Sequence, residues 1–240
     1  MTAPVRGVLV DLDDTLYPQA EYLDLAWRAV ATRAGELGLD PIALLAALRA
    51  EATGGSARGG IIDRALARTG APESHVPALL GAFRALDPVR LPPYPGAVAA
   101  LAALRRRVPV ALVTDGEPTG QRRKIAALGL TAAFDVVVLS DLAGREHRKP
   151  HPRPFTAALD GIGVAAEHAV MVGDRPDKDV AGAAGIGLRA VRVGTGEYAG
   201  RPDHPATWFR AATFADAVHA LLPHLRAAAP IGQARAATEA

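Results

Sequence analysis

Five short apolar runs constrain this chain more than any other feature: Val8–Val10, Val108–Val113, Val136–Leu139, Val170–Val172 and Leu188–Val193. Most are rich in Val and bounded by turn-forming residues. Runs this short and apolar read as strands covered on both faces, the situation of a parallel sheet. Helical apolar spacing separates the later runs, over Gly96–Arg107, Thr119–Leu128, Pro154–Gly161 and Asp177–Ala184, and a last helix is expected at Phe214–Ala227. Strand alternating with helix predicts an α/β fold, a Rossmann-like parallel sheet flanked by helices.

The alternation breaks once. Strand one ends at Asp11 and strand two begins at Val108, so roughly 95 residues stand where a strand–helix–strand unit needs about 30. This stretch carries helical spacing at Tyr22–Leu37, Pro41–Glu51, Ile61–Ala67 and Val76–Leu86, interrupted by the glycine-rich TGGSARGG at 53–60. The expected organisation is therefore a core of 1–17 and 91–229 with an all-helical module inserted at 18–90. LPPYPG at 91–96 is the return passage, stiffened by its prolines. The Ala-rich tail 230–240 has no periodic stripe and is expected to be disordered.

Composition excludes several function classes. No apolar stretch approaches the ~20 residues of a membrane span. MTAPVRGVLV meets aspartates too soon to read as a signal peptide. Without cysteine there is no disulfide, thiolate metal site or cysteine nucleophile. A cytoplasmic protein is the simplest expectation. Formal charge is only +2 and the basic residues are scattered, so Arg105–Arg107 reads as a solvated helix end. Neither nucleic acid nor membrane is an expected partner; the expected assembly is a monomer or homodimer.

In open parallel sheets ligands bind beyond the carboxyl ends of the strands. Strand one leads into Asp11-Leu12-Asp13-Asp14-Thr15, strand two into Thr114-Asp115-Gly116, strand three, after a loop, into Arg148-Lys149-Pro150, and strand four into Gly173-Asp174 and on to Asp179. Two bare carboxylates about 4 Å apart repel by about 4 kcal/mol at an effective dielectric of 20. Asp11, Asp13 and Asp174 brought to one edge therefore call for a cation. A hard divalent ion such as Mg²⁺ suits a few carboxylates with water and a phosphate. Lys149 adds a second positive charge, and with three lysines against 24 arginines each lysine is informative. Thr114 and the amides beside Gly116 can donate to an anion. Cation and anion donors together point to phosphoryl transfer.

With these residues in order, the chain resembles the haloacid dehalogenase (HAD) superfamily of hydrolases. DLDDT at 11–15 is similar to the family's DxDxT; Thr114 after VALV, Lys149 in RKPHPRPF and GDRPDKD at 173–179 match its other three motifs. The resemblance spans about residues 5–200, and the insertion falls where the family places a C1-type helical cap. It implies that Asp11 is the nucleophile and a metal ligand, and that Asp13 is the general acid and base, ligating Mg²⁺ through its carbonyl. It also implies that Asp174 binds Mg²⁺, Asp179 supports the metal or Lys149, and Thr114, Lys149 and the Asp115-Gly116 stretch face the phosphoryl group. Asp115 stands where the family often has Asn, a departure tolerable only if its side chain points away or meets an arginine such as Arg148 or Arg175.

Asp14 and Asp177 read as turn or cap residues. Asp13 favours phosphate-ester chemistry over dehalogenation, since a halide needs no proton. The expected activity is hydrolysis of a small phosphate monoester through an aspartyl-phosphate, with a lean to nucleoside monophosphates or sugar phosphates. Tyr17, Gln19, Tyr22, Ser56 and Arg58 are the candidate specificity residues. A sugar-phosphate mutase and a non-catalytic receiver-like phosphoryl-binding protein are the alternatives.

Overall fold

Six strands form one sheet in the computed structural model, which describes residues 3–55 and 58–226. They are β1 (Gly7–Val10), β2 (Val110–Thr114), β3 (Val136–Leu139), β4 (Ala169–Gly173), β5 (Arg189–Val193) and β6 (Thr207–Ala211). All pairings are parallel, in the order β3-β2-β1-β4-β5-β6. The order reverses at β1, and a crevice at such a switch point is where doubly wound sheets bind ligands. Val10 pairs with Leu112 on one side and Val172 on the other. Asp11 is thus the first residue past the central strand, and its N–H still donates to Val172 O at 3.0 Å.

The three central strands are buried along their whole length, which is why they read as unbroken apolar runs. Helix α7 (Pro152–Ile162) covers one face, packing Phe155, Ala158, Leu159 and Ile162 against Leu9, Ala111, Val113 and Met171. Helix α9 (Phe214–Leu221) begins with a capping box between Thr213 and Asp216. It is shorter than the expected Phe214–Ala227: Pro223 cannot continue a helix, and the chain turns through a 3₁₀ segment at Leu222–His224. Ala227 and the expected tail lie outside the described residues.

Three further differences have physical causes. β6 was not expected: TWFRA is a half-exposed edge strand with neither a continuous apolar run nor clean alternation. β2 begins at Val110 rather than Val108, after Pro109, and includes Thr114. The expected helix Asp177–Ala184 is a π-helical turn at Pro176–Val180 running into α8 (Ala181–Ala184). Such turns recur at functional sites.

The chain divides into two compact units. One, drawn from Met1–Leu16, Tyr94–Gly116 and Thr131–Ala240, holds the sheet, α5 (Ala97–Arg105), α7, α8 and α9. The other, Tyr17–Pro93 with Glu117–Leu130, holds α1 (Gln19–Glu36), α2 (Pro41–Ala52), α3 (Ile61–Thr69), α4 (Val76–Ala85) and α6 (Pro118–Ala127). Its core is Trp27, Val30, Leu44, Leu48, Ile62, Leu66 and Leu79. Asp40 caps α2 by accepting from Ile42 N at 2.9 Å, with Pro41 at the first helical position. The sequence placed 117–130 in the core; the structure groups it with the helices instead. Arg123 donates to Arg84 O at 2.9 Å, Leu91 N to Ala127 O at 3.0 Å, and the Lys124 ammonium lies 4.4 Å from the Tyr22 ring centre. Among the described residues no helix is long and apolar enough to cross a membrane.

Candidate active site

Asp11, Thr114, Lys149, Asp174 and Asp179 are all buried, and all belong to the sheet-bearing unit. The Asp11 carboxylate is held at both oxygens. Lys149 Nζ donates to Oδ1 at 2.5 Å, and Thr15 Oγ1 donates to Oδ2 at 3.0 Å. Thr15 is therefore an orienting partner of Asp11. Lys149 Nζ also donates to Asp179 Oδ1 at 2.7 Å and to Val113 O at 3.1 Å, which uses all three of its protons.

Asp179 reaches the lysine from the π-helical turn after β4. Its Oδ2 accepts from Arg175 N at 3.0 Å. The space it occupies exists because residue 173 is glycine: a Cβ there would lie 2.3 Å from Asp179 Oδ2. The GD pair of GDRPDKD thus has a packing reason for its glycine.

Oxygens of Asp11, Asp174 and Asp179 all lie within 4.8 Å of one another. Three buried carboxylates against one ammonium leave the cluster short of positive charge. Burial pushes the Asp11 carboxyl up to about 7 against the pull of Lys149, with the Asp179 and Asp13 charges adding to the rise. Burial, then the charges of Asp11, Asp179 and Asp14, push Asp174 up to about 10. Burial alone would lower Lys149, but Asp11, Asp179 and Asp115 outweigh it and raise it above its ordinary value. Three carboxylate oxygens this close together could hold a metal ion, and an all-oxygen donor set fits a hard divalent one. Asp13, expected among the ligands, is not in this three-carboxylate group; its side chain is half-buried.

The Asp115 departure resolves through a lysine rather than an arginine. Asp115 Oδ2 accepts from Lys178 Nζ at 3.0 Å, and Oδ1 accepts from Ser140 Oγ at 2.8 Å and Lys149 N at 3.1 Å. Burial would raise its carboxyl, but Lys149 and Lys178 hold it below the usual range. Arg148 instead forks onto Asp141, and Arg175 onto Asp177. In the structure both carboxylate oxygens of Asp115, expected to face the phosphoryl group, bind protein groups. The N–H of Gly116 donates to Asp141 Oδ1 at 3.2 Å.

Asp14, read as a turn residue, is buried with φ 58°, and its carboxylate accepts from Glu197 N at 3.1 Å. Tyr17, Gln19, Tyr22 and Arg58 lie in the helical unit, while Ser56 lies outside the described residues. The roles of Lys178, Ser140 and Asp141 were not legible from sequence, because their partners are distant in the chain.

The model of the haloacid dehalogenase-like hydrolase family matches residues 5–187. The chain is 39% identical over 191 residues to phosphoserine phosphatase of Thermus thermophilus, covering 79% of this chain and 71% of that one. It is 36% identical over 202 residues to glyceraldehyde 3-phosphate phosphatase of Methanopyrus kandleri, covering 81% and 86%. In fold it is similar to the HAD-hydrolase YfnB of Bacillus subtilis, with a TM-score of 0.70 and 20% identity over 91% of this chain and 99% of that one. On these matches the chain belongs to the haloacid dehalogenase-like hydrolase family and is one of its phosphatases.

Proposed function

We propose that the protein is a Mg²⁺-dependent phosphomonoester hydrolase working through a phosphoryl group carried on Asp11. The observation that carries this reading is the Asp11 carboxylate, buried at the end of β1 and aimed by Lys149 and Thr15. Asp11, Asp174 and the backbone carbonyl of Asp13 would hold the ion, and Asp179 would support them through Lys149. When bound, the ion supplies positive charge to the carboxylates and to the phosphoryl oxygens.

In the first half-reaction Asp11 attacks phosphorus, a P–O bond to Asp11 forms and the ester P–O bond breaks. Asp13 gives its proton to the departing alkoxide oxygen. In the second half Asp13 takes a proton from water, whose oxygen attacks phosphorus; the bond to Asp11 breaks and inorganic phosphate leaves. Thr114 donates to the phosphoryl oxygens; Lys149, whose three protons are held by Asp11, Asp179 and Val113 O, acts on them as a positive charge and neutralises part of the charge on Asp11.

The helical unit acts in this reading as the cap that selects the rest of the substrate. Relatives named for phosphoserine and glyceraldehyde 3-phosphate support a small phosphorylated metabolite as the substrate class. The same reading takes the enzyme to be cytoplasmic. The test is release of phosphate from p-nitrophenyl phosphate with Mg²⁺ and with EDTA. A panel of triose, pentose, amino-acid and nucleoside phosphates then ranks substrates by kcat/KM. Release is expected only with Mg²⁺, and Asp11→Asn is expected to be folded and inactive. Turnover by folded Asp11→Asn would rule out Asp11 as the nucleophile.

A further inference from the structure

Arg192 is the bulkiest of the fully buried side chains and stands on β5 with no solvent exposure. A guanidinium is costly to bury unless its donors are satisfied. Here they are. Nη1 donates to Arg201 O at 2.7 Å and also to Asp203 Oδ1; Nη2 donates to Tyr198 O at 2.6 Å; Nε donates to Asp174 O at 3.3 Å. Three of these four acceptors are backbone carbonyls, so the arginine fixes the course of the chain. Its register partner on β4 is Gly173, the residue before Asp174.

The segment that Arg192 gathers reaches a second loop of the site. Thr195 Oγ1 donates to Asp14 O at 2.5 Å, and Glu197 N donates to the Asp14 carboxylate. Gly196 lies so close that a Cβ there would sit 2.1 Å from Asp14 Cγ. Further along, the Tyr198 ring lies 3.8 Å from the Arg175 guanidinium carbon. Arg192 and the segment 194–203 together therefore hold the loop after β1 at Asp14 and the loop after β4 at Asp174 and Arg175.

We infer that Arg192 is a positioning residue, and that it and the 194–203 segment form a brace setting the Asp174 backbone relative to the Asp11 loop. This rests on the reading that Asp11 and Asp174 hold the metal. Arg192 touches the Asp174 main chain and not its carboxylate, so it governs where that carboxylate points. A Lys at 192 keeps one charge but lacks the fork that reaches all of these acceptors.

The experiment titrates Mg²⁺ into the purified full chain by calorimetry, for wild type, Arg192→Lys and Thr195→Val, alongside metal-free thermal midpoints and steady-state kinetics. Arg192→Lys is expected to bind Mg²⁺ about tenfold more weakly or worse, the range typical of residues that orient a metal ligand. Its KM for p-nitrophenyl phosphate at saturating Mg²⁺ should be unchanged, and its kcat should fall less than its metal affinity. Thr195→Val, which removes a hydroxyl and no charge, should weaken Mg²⁺ binding by a smaller factor. A folded Arg192→Lys with a lowered thermal midpoint and wild-type Mg²⁺ affinity would show a merely structural arginine and overturn the inference. If Arg192→Lys does not fold, Thr195→Val decides alone, and unchanged affinity there overturns it. Wild type that binds no Mg²⁺ defeats the metal reading itself, a failure visible before any variant is compared.

Discussion

The Lys149 ammonium donates to Asp179 at 2.7 Å where the two side chains are 3% and 0% exposed. A pair this deeply buried costs most when one member is removed, a cost tempered here because Lys149 keeps Asp11 as a partner. Asp179→Asn keeps the volume and an acceptor but loses the charge. It is expected to lower stability by about 2–4 kcal/mol and kcat/KM for phosphate-ester hydrolysis by about 10–100-fold. Denaturant unfolding and steady-state kinetics check the two parts separately.

Gly173 is expected to be intolerant for a local reason. Gly173→Ala would drive a methyl into Asp179 Oδ2, and overpacking of this kind costs about 1–3 kcal/mol. Since Asp179 orients Lys149, activity should fall with stability. A variant of wild-type stability and activity would show that the π-helical turn can shift without consequence.

Metal-free stability should fall as pH rises. Asp11 and Asp174 have folded-state pKa values raised to about 7 and about 10, above the 3.8 of an ordinary Asp. The native state therefore keeps protons that the unfolded chain has released. The contribution is fully present below pH 3.8, fades through about 7 for Asp11, and continues toward about 10 for Asp174. Mg²⁺ would take the place of those protons. The rise in Tm on adding Mg²⁺ should thus be small in mildly acidic buffer and larger in mildly alkaline buffer. A metal-induced rise that shrinks with pH would contradict this.

Asp115→Asn tests whether the departure at this position matters to substrate. Asn keeps an acceptor for Ser140 and Lys149 N but turns an NH₂ donor toward the Lys178 ammonium, so that contact is lost. The expected cost is about 1 kcal/mol of stability, with kcat/KM changed by less than about fivefold. A fall of about a hundredfold, some 2.7 kcal/mol at the transition state, would return Asp115 to the substrate.

Legibility followed chain separation and burial. Central strands were readable because both faces are covered, and the strand-end aspartates were readable because carboxylates are rarely placed beside a core without cause. β6 was not, since an edge strand lacks that pressure. Arg192 was lost among 24 arginines; only its place inside an apolar strand set it apart. Asp14 looked idle because its partners, Thr195 and Glu197, lie far along the chain. The partners of Asp115 and Gly116 were hidden for the same reason: Lys178 and Asp141 reach them only once the loops after β3 and β4 are in place.

The strand order also bears on how the chain is made. β1 is the first strand synthesised, and it ends up between β2 and β4. Its two edges stay open until Val110, and then Ala169, have emerged. An open apolar strand is a template for pairing with other chains. This one carries Asp11, Asp13 and Asp14 just past its end, and two copies aligned in parallel would set like charges side by side. The carboxylates of the finished site thus act earlier as gatekeepers for the nascent protein.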